Sequence, residues 1–143
     1  MVKKEDLIEC DLKEYPKLVE YIDKMADIFV NLAWNGTRGS SREDKDLQEK
    51  NYKASLYALE TAYKLGCNKF IGAGTLTEYG IGSGLQNETK ECYPVTEYGI
   101  YKLKSYVDGI SYAEGRGIVF VEPRFSGIYG PEDYSNTLIM CSK

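Results

Sequence analysis

An α/β fold built on a parallel sheet with covering helices is what this sequence predicts. Two observations carry that expectation. Strand-like and helix-like segments alternate along the 143 residues, and the strand-like ones are short, nearly continuous apolar runs, the pattern of strands buried on both faces. No internal repeat, low-complexity tract or linker divides the chain, so a single domain over 1–143 is expected.

"DLIEC" (6–10) is a short apolar-leaning run and opens the series as a strand. In "DLKEYPKLVEYIDKM" (11–25), Leu18, Tyr21, Ile22 and Met25 recur at helical spacing and Pro16 suits a first turn. "DIFVNLA" (27–33) and "NKFIGAG" (68–74) read as buried strands, separated by a long helix over 42–66 that Gly66 closes. Leu47, Leu56, Leu59, Ala62 and Tyr63 are among that helix's apolar positions. Residues 76–95 are Gly-rich and polar, a loop, and 96–115 form the next helix. There Ile100, Leu103, Val107 and Ile110 make a stripe predicted to face the core, which leaves Tyr98, Lys102, Ser105 and Gly109 on the opposite side. "GIVFVEP" (117–123) is the last good strand, and Gly127, Gly130 and Pro131 give the tail turn chemistry.

Composition narrows the function. A net charge of −4 and a pI near 5.0 argue against a nucleic-acid partner, and no basic stripe interleaved with aromatics occurs. No apolar run approaches the ~20 residues of a membrane span, and the first residues lack a signal-peptide core. Cys10, Cys67, Cys92 and Cys141 are scattered without a C-x-x-C, which fits reduced cytosolic thiols and indicates neither metal nor disulfide. Histidine is absent, so acid–base chemistry falls to Tyr, Lys, Asp, Glu or Cys.

Tyr98 and Lys102 stand four apart on one helix, where side chains can meet, and an ammonium beside a phenol favours the phenolate. Chance alone supplies about one such spacing in a chain this rich in both residues, so the surroundings must decide. Ligands of open α/β sheets bind outside the carboxyl ends of the strands. Three such ends bring Ala33, Thr75 and Arg124 to the same edge as the Tyr98 helix. Taken singly, a turn, a cap and an exposed ion pair account for them as well.

Six segments in order resemble the NAD-dependent epimerase/dehydratase group of the extended short-chain dehydrogenase/reductases. "IECDL" is similar to the strand whose acidic end lies by the cofactor's adenine, here Asp11 with Leu12. "VNLAW" resembles the segment that passes over the dinucleotide, giving Leu32, Ala33 and Trp34. Asn51 matches a helix asparagine. "FIGAGTLTEYG" places Thr75 at the catalytic Ser/Thr, "PVTEYGIYK" places Tyr98 and Lys102 at the catalytic pair, and "PRFSGIYGP" resembles "R-x-F-N-x-YGP". Tyr101 stands where the family has serine, and Gly127 where a substrate-contacting asparagine is common.

The resemblance implies a partial Rossmann-like, doubly wound sheet lacking its first two strands, because no G-x-x-G-x-x-G loop is present. The chain is thus expected to be an N-terminally truncated piece, also without the C-terminal substrate domain, and inactive and weak for NAD alone. NAD is the expected cofactor, with NADP open, and a nucleotide-activated sugar the expected substrate, with Arg124 toward its far end. Thr75, Tyr98 and Lys102 would move proton and hydride at a sugar carbon, and Lys102 would also hold the cofactor. A reductase of small carbonyl compounds and a non-catalytic fragment are the alternatives. A cytoplasmic location and, for the complete enzyme, a homodimer through the two long helices complete the expectations.

Overall fold

The computed structural model describes residues 7–23, 25–82 and 84–128. Short pieces come first: a 3-10 stretch over Leu12–Lys17 and one α-helical turn, α1, over Leu18–Tyr21. Strand β1 (Ile28–Asn31) leads through a second 3-10 stretch (Gly39–Glu43) into the long helix α2 (Lys45–Lys64). Then come β2 (Lys69–Gly72), β3 (Gly74–Thr75), a 3-10 turn over Leu76–Tyr79, helix α3 (Glu97–Ala113), β4 (Val119–Val121) and β5 (Arg124–Phe125).

Among the described residues every strand pairing is parallel. One sheet has the order β1-β2-β4, with Phe29 opposite Phe70 and Phe70 opposite Phe120. At its carboxyl end β3 pairs with β5, Gly74 opposite Arg124 and Thr75 opposite Phe125. The α/β expectation therefore holds, with alternating strands and helices building parallel ladders.

The helices are bounded by local chemistry. Asp44 caps α2 by accepting from the Leu47 N–H at 3.0 Å. At its far end Gly66, with φ 78°, lets Gly66 N–H bond Tyr63 O and Cys67 N–H bond Ala62 O, a Schellman closure. Thr96 caps α3 through the Gly99 N–H at 3.1 Å. The core lies between these helices and one face of the sheet. Ala58, Leu59, Ala62 and Phe70 are its most buried members, and Phe29, Phe70 and Phe120 stack in a row across the strands, with centroids 5.7 and 5.5 Å apart.

Several expectations are corrected. Residues 7–10 of "DLIEC" have no regular structure, since no neighbouring strand offers them a ladder; Asp6 lies outside the described residues. The 11–25 helix is a 3-10 stretch and a single α turn, because Pro16 lacks an N–H and restricts the residue before it. Met25 is 82% exposed and only Leu18 is buried. "DIFVNLA" is not covered on both faces: Phe29 points to the helices, while Ile28 and Val30 are 49% and 54% exposed. The 76–95 loop holds a 3-10 turn with Glu78 and Tyr79 buried.

The largest correction concerns α3. Its apolar stripe is not the buried side: Ile100 and Val107 are 41% and 51% exposed and Leu103 and Ile110 only partly buried, while the inward side is Tyr98, Gly99, Tyr101, Lys102, Ser105, Gly109 and Ala113. Small residues let this helix approach closely. The Ser105 hydroxyl bonds that of Ser55 on α2 at 2.8 Å, and a Cβ on Gly109 would lie 2.5 Å from the Phe120 ring. Gly130 and Pro131 of the tail lie outside the described residues. Among the described residues no helix is long and apolar enough to cross a membrane, and no cluster of His, Cys, Asp and Glu could hold a metal.

Candidate active site

The carboxyl end of the sheet and the amino end of α3 meet at Tyr98 and Lys102. Gly99 permits this: a Cβ there would stand 2.9 Å from the Thr77 carbonyl oxygen. The Lys102 ammonium donates to the Ala73 carbonyl between β2 and β3 at 2.5 Å. It also lies 3.9 Å from the centre of the Trp34 ring and 5.9 Å from that of Tyr98, close enough for cation–π attraction to Trp34. Trp34 meets Tyr98 edge-on at 6.2 Å. The Thr75 side chain is near enough to the Tyr98 hydroxyl to lower its pKa as a hydrogen-bonding neighbour, and Thr75 Oγ1 donates to Thr77 Oγ1 at 3.1 Å. Thr75, Tyr98 and Lys102 are thus brought together.

The electrostatics differ from the expectation drawn from the spacing. Burial is the dominant effect on Tyr98 and raises its pKa, holding the proton on; the Thr75 hydrogen bond and the Arg42 guanidinium oppose it. Burial, Thr75 and Arg42, rather than Lys102, are the leading influences on Tyr98. Lys102 is itself shifted, from 10.5 down to about 8, by burial that Glu122 and then Glu78 partly offset. Burial therefore shifts both groups toward their neutral forms.

The other expected site residues divide. Asp11, Leu12 and Asn51 line a cavity of about 290 Å³ together with Asn35, Lys50, Lys53, Ala54 and Tyr57. The Asn51 amide is committed to the Asn35 backbone, accepting from its N–H at 3.0 Å and donating to its carbonyl at 2.8 Å, so Asn51 holds the loop that walls the cavity. Leu32 and Ala33 lie exposed just past β1, outside that cavity. Arg124 is not an exposed ion pair. Its Nε donates to Glu78 at 2.7 Å, its Nη1 donates to the Tyr79 hydroxyl at 2.9 Å, and its guanidinium lies over the Tyr79 and Tyr106 rings. Two of its three nitrogens are held inside the protein.

Sequence reasoning missed five residues here. Arg42 lies 4.9 Å over the Tyr98 ring and donates to Thr77 at 2.9 Å. Gln48, fully buried, accepts from the Trp34 indole N–H at 2.7 Å and donates to the carbonyls of Gly36 and Ser41. Thr77, Glu78 and Glu122 complete the set. Only Glu78 had a local signal, the Thr-x-x-Glu capping pattern with Thr75, realised by its acceptance of the Thr75 N–H at 2.7 Å.

The chain is similar to several solved structures. One is the UDP-glucuronic acid 4-epimerase of Bacillus cereus in complex with UDP-glucuronic acid and NAD, at 28% identity and a TM-score of 0.70, covering 85% of this chain and 38% of that one. Another is the UDP-glucose 4-epimerase of Brucella ovis in complex with NAD, at 25% identity and 0.73, covering 83% and 38%. The fold is also that of the Thermotoga maritima UDP-glucose 4-epimerase with UDP-glucose, at 23% identity and 0.73, covering 90% and 45%. The chain therefore spans well under half the length of these proteins. No curated protein matches it in sequence. The model of the NAD dependent epimerase/dehydratase family matches residues 1–140, and the chain belongs to that family.

Proposed function

We propose that this chain forms the reacting part of an NAD-dependent nucleotide-sugar epimerase or dehydratase, with Thr75, Tyr98 and Lys102 as the residues at the chemistry. The observation that carries the reading is the convergence of these three side chains, from β3 and from one face of α3, at the carboxyl end of a parallel sheet. That is where open α/β sheets bind ligands.

NAD is the cofactor proposed, since the Bacillus and Brucella epimerases contain it. The residues present fit one end of such a ligand. The 290 Å³ cavity at Asp11, Leu12, Asn35 and Asn51 has apolar walls from Leu12, Leu47, Ala54 and Tyr57 and polar groups at its edge, but falls just below the roughly 300–1,000 Å³ of typical ligand sites. It suits one part of a dinucleotide, and Lys102 addresses the other. Bound there, NAD would supply reversible hydride transfer at the sugar carbon.

The protein's part is proton handling and orientation. Tyr98 exchanges a proton with the sugar hydroxyl, and the Arg42 charge over its ring and the Thr75 bond are the features that ease its ionisation against burial. Thr75 hydrogen-bonds the reacting oxygen. Trp34 and Arg42 keep water from the phenol. In the protein that carries this chain, Tyr98→Phe is expected to lower turnover of a UDP-sugar by about 10²–10⁴-fold with little change in its binding. Turnover near that of the unaltered protein would remove Tyr98 from the mechanism.

A further inference from the structure

Lys102 is only 5% exposed, yet it is the side chain assigned to hold a ligand. What lies against it is Trp34. The Lys102 nitrogen stands 3.9 Å from the centre of the Trp34 ring, over its face. An ammonium carries three N–H donors. Among the described residues one hydrogen-bond acceptor serves them, the Ala73 carbonyl at 2.5 Å. The ring face attracts the charge, but a buried charge is best placed when its donors are paired as well. Ligand oxygens would pair them, and they do not come within hydrogen-bond distance while the indole stands there.

The ring is held less firmly than the backbone that carries it. After Trp34, both backbone groups of Asn35 are tied to the Asn51 amide. Before it, the buried Asn31 ends β1 and its carbonyl accepts the Ala73 N–H at 3.1 Å. The indole, only partly buried, makes one hydrogen bond, from its N–H to Gln48 at 2.7 Å, and neighbouring Leu32 and Ala33 are exposed. Turning the side chain to another rotamer therefore breaks that bond and the contacts with Lys102 and Tyr98, and leaves every ladder and helix bond intact.

We propose that Trp34 is a movable cover over Lys102, latched by Gln48, and that a hydroxyl-bearing ligand reaches the ammonium only when the indole turns away. The exchange favours such a ligand, because hydrogen bonds to a charged donor replace contact with a ring face. A ligand without oxygen acceptors gains nothing by displacing the ring. The inference rests on the reading of Lys102 as a ligand-holding residue, but its test needs neither cofactor nor substrate, so its failure and the failure of that reading are separate results.

The experiment is acetylation of the full 143-residue chain by a succinimidyl ester, followed lysine by lysine with mass spectrometry. Exposed Lys104, on the same helix, is the reference for open access. Alkylation of Cys67, buried in the core, reports global unfolding. In the unaltered chain Lys102 should react more slowly than Lys104, at a rate that low urea leaves unchanged while the Cys67 rate climbs. Trp34→Phe, which keeps a ring and loses the Gln48 bond, should speed Lys102 by about 2–10-fold, the worth of one hydrogen bond. Trp34→Ala should speed it further, toward the Lys104 rate, with Cys67 unchanged. A Lys102 rate unmoved in Trp34→Ala would overturn the proposal. Two results in the unaltered chain, which depend on no variant folding, would do the same: Lys102 reacting as fast as Lys104, or Lys102 climbing with urea in step with Cys67.

Discussion

Replacing Gln48 by leucine tests how the site is held on its Trp34 side. Gln48 is fully buried in α2 and its amide serves the Trp34 indole N–H at 2.7 Å and the carbonyls of Ser41 and Gly36 at 2.8 and 3.1 Å, with a long contact of 3.5 Å from the Asn51 amide beside these three. Leucine is close in volume but can serve none of them. A buried group left without its partner costs about 1–3 kcal/mol. Trp34, Gly36 and Ser41 are only partly buried, so water can reach them and the low end applies, about 3 kcal/mol for the three. Burying leucine in place of an amide returns about 1 kcal/mol, which leaves a net loss of about 2 kcal/mol. The assay is urea unfolding followed by Trp34 fluorescence, clean because the chain has a single tryptophan. Gln48→Glu should lose more, since it keeps the acceptor for Trp34 but turns a buried negative charge on two carbonyls. A Gln48→Leu loss below about 0.5 kcal/mol, or a Gln48→Glu variant as stable as Gln48→Leu, would refute the network as the element that fixes Trp34.

Gly109→Ala should destabilise although alanine is the better helix former by about 1 kcal/mol. The new Cβ would lie 2.5 Å from Phe120, whose ring is stacked on Phe70 and packed by Tyr106, and overpacking costs about 1–3 kcal/mol; a melting temperature equal to or above that of the parent would contradict this. The Lys102 shift has a sign in stability. Its folded pKa of about 8 lies below the ordinary 10.5, so the unfolded chain binds more protons between those values, and this group's contribution to stability rises as pH climbs through them, by at most about 3 kcal/mol. Lys102→Met should flatten that rise in thermal melts recorded across the window. Self-association is expected through the outer faces of α2 and α3, where Tyr57, Tyr63, Ile100 and Val107 are exposed and Tyr63 and Tyr112 already form an edge-on pair. Sedimentation should give a dimer at micromolar concentration and a monomer for Val107→Asp; a strictly monomeric parent would exclude this surface.

What the sequence showed, it showed through local pattern. Thr75, Tyr98 and Lys102 were proposed because the segments that hold them resemble the family's motifs, and the parallel sheet because strands and helices alternate. The orientation of α3 was not legible. An apolar stripe is ordinarily the inward one, but here the close approach of α3 to Phe120 and α2 requires Gly109 and Ser105 inside, and Tyr98 and Lys102 go in with them. Arg42 and Gln48 were invisible for another reason. Their partners are distant in sequence or are backbone carbonyls of an irregular loop, and neither relation leaves a periodic trace. The burial that raises the Tyr98 pKa was not legible either, because spacing reports neighbours on one helix and not burial.

The phenylalanine row and the helices cover one side of the sheet, while Ile28, Val30, Val119 and Val121 remain 40–56% exposed on the other. A sheet sealed on one side carries part of its hydrophobic hydration into the folded state. The heat-capacity increment on unfolding follows the apolar surface newly wetted, and these side chains are already half wet. Calorimetry of the chain should therefore give a smaller increment per residue than the usual ~12–15 cal/mol/K, and a stability curve flatter with temperature, one that changes little on cooling.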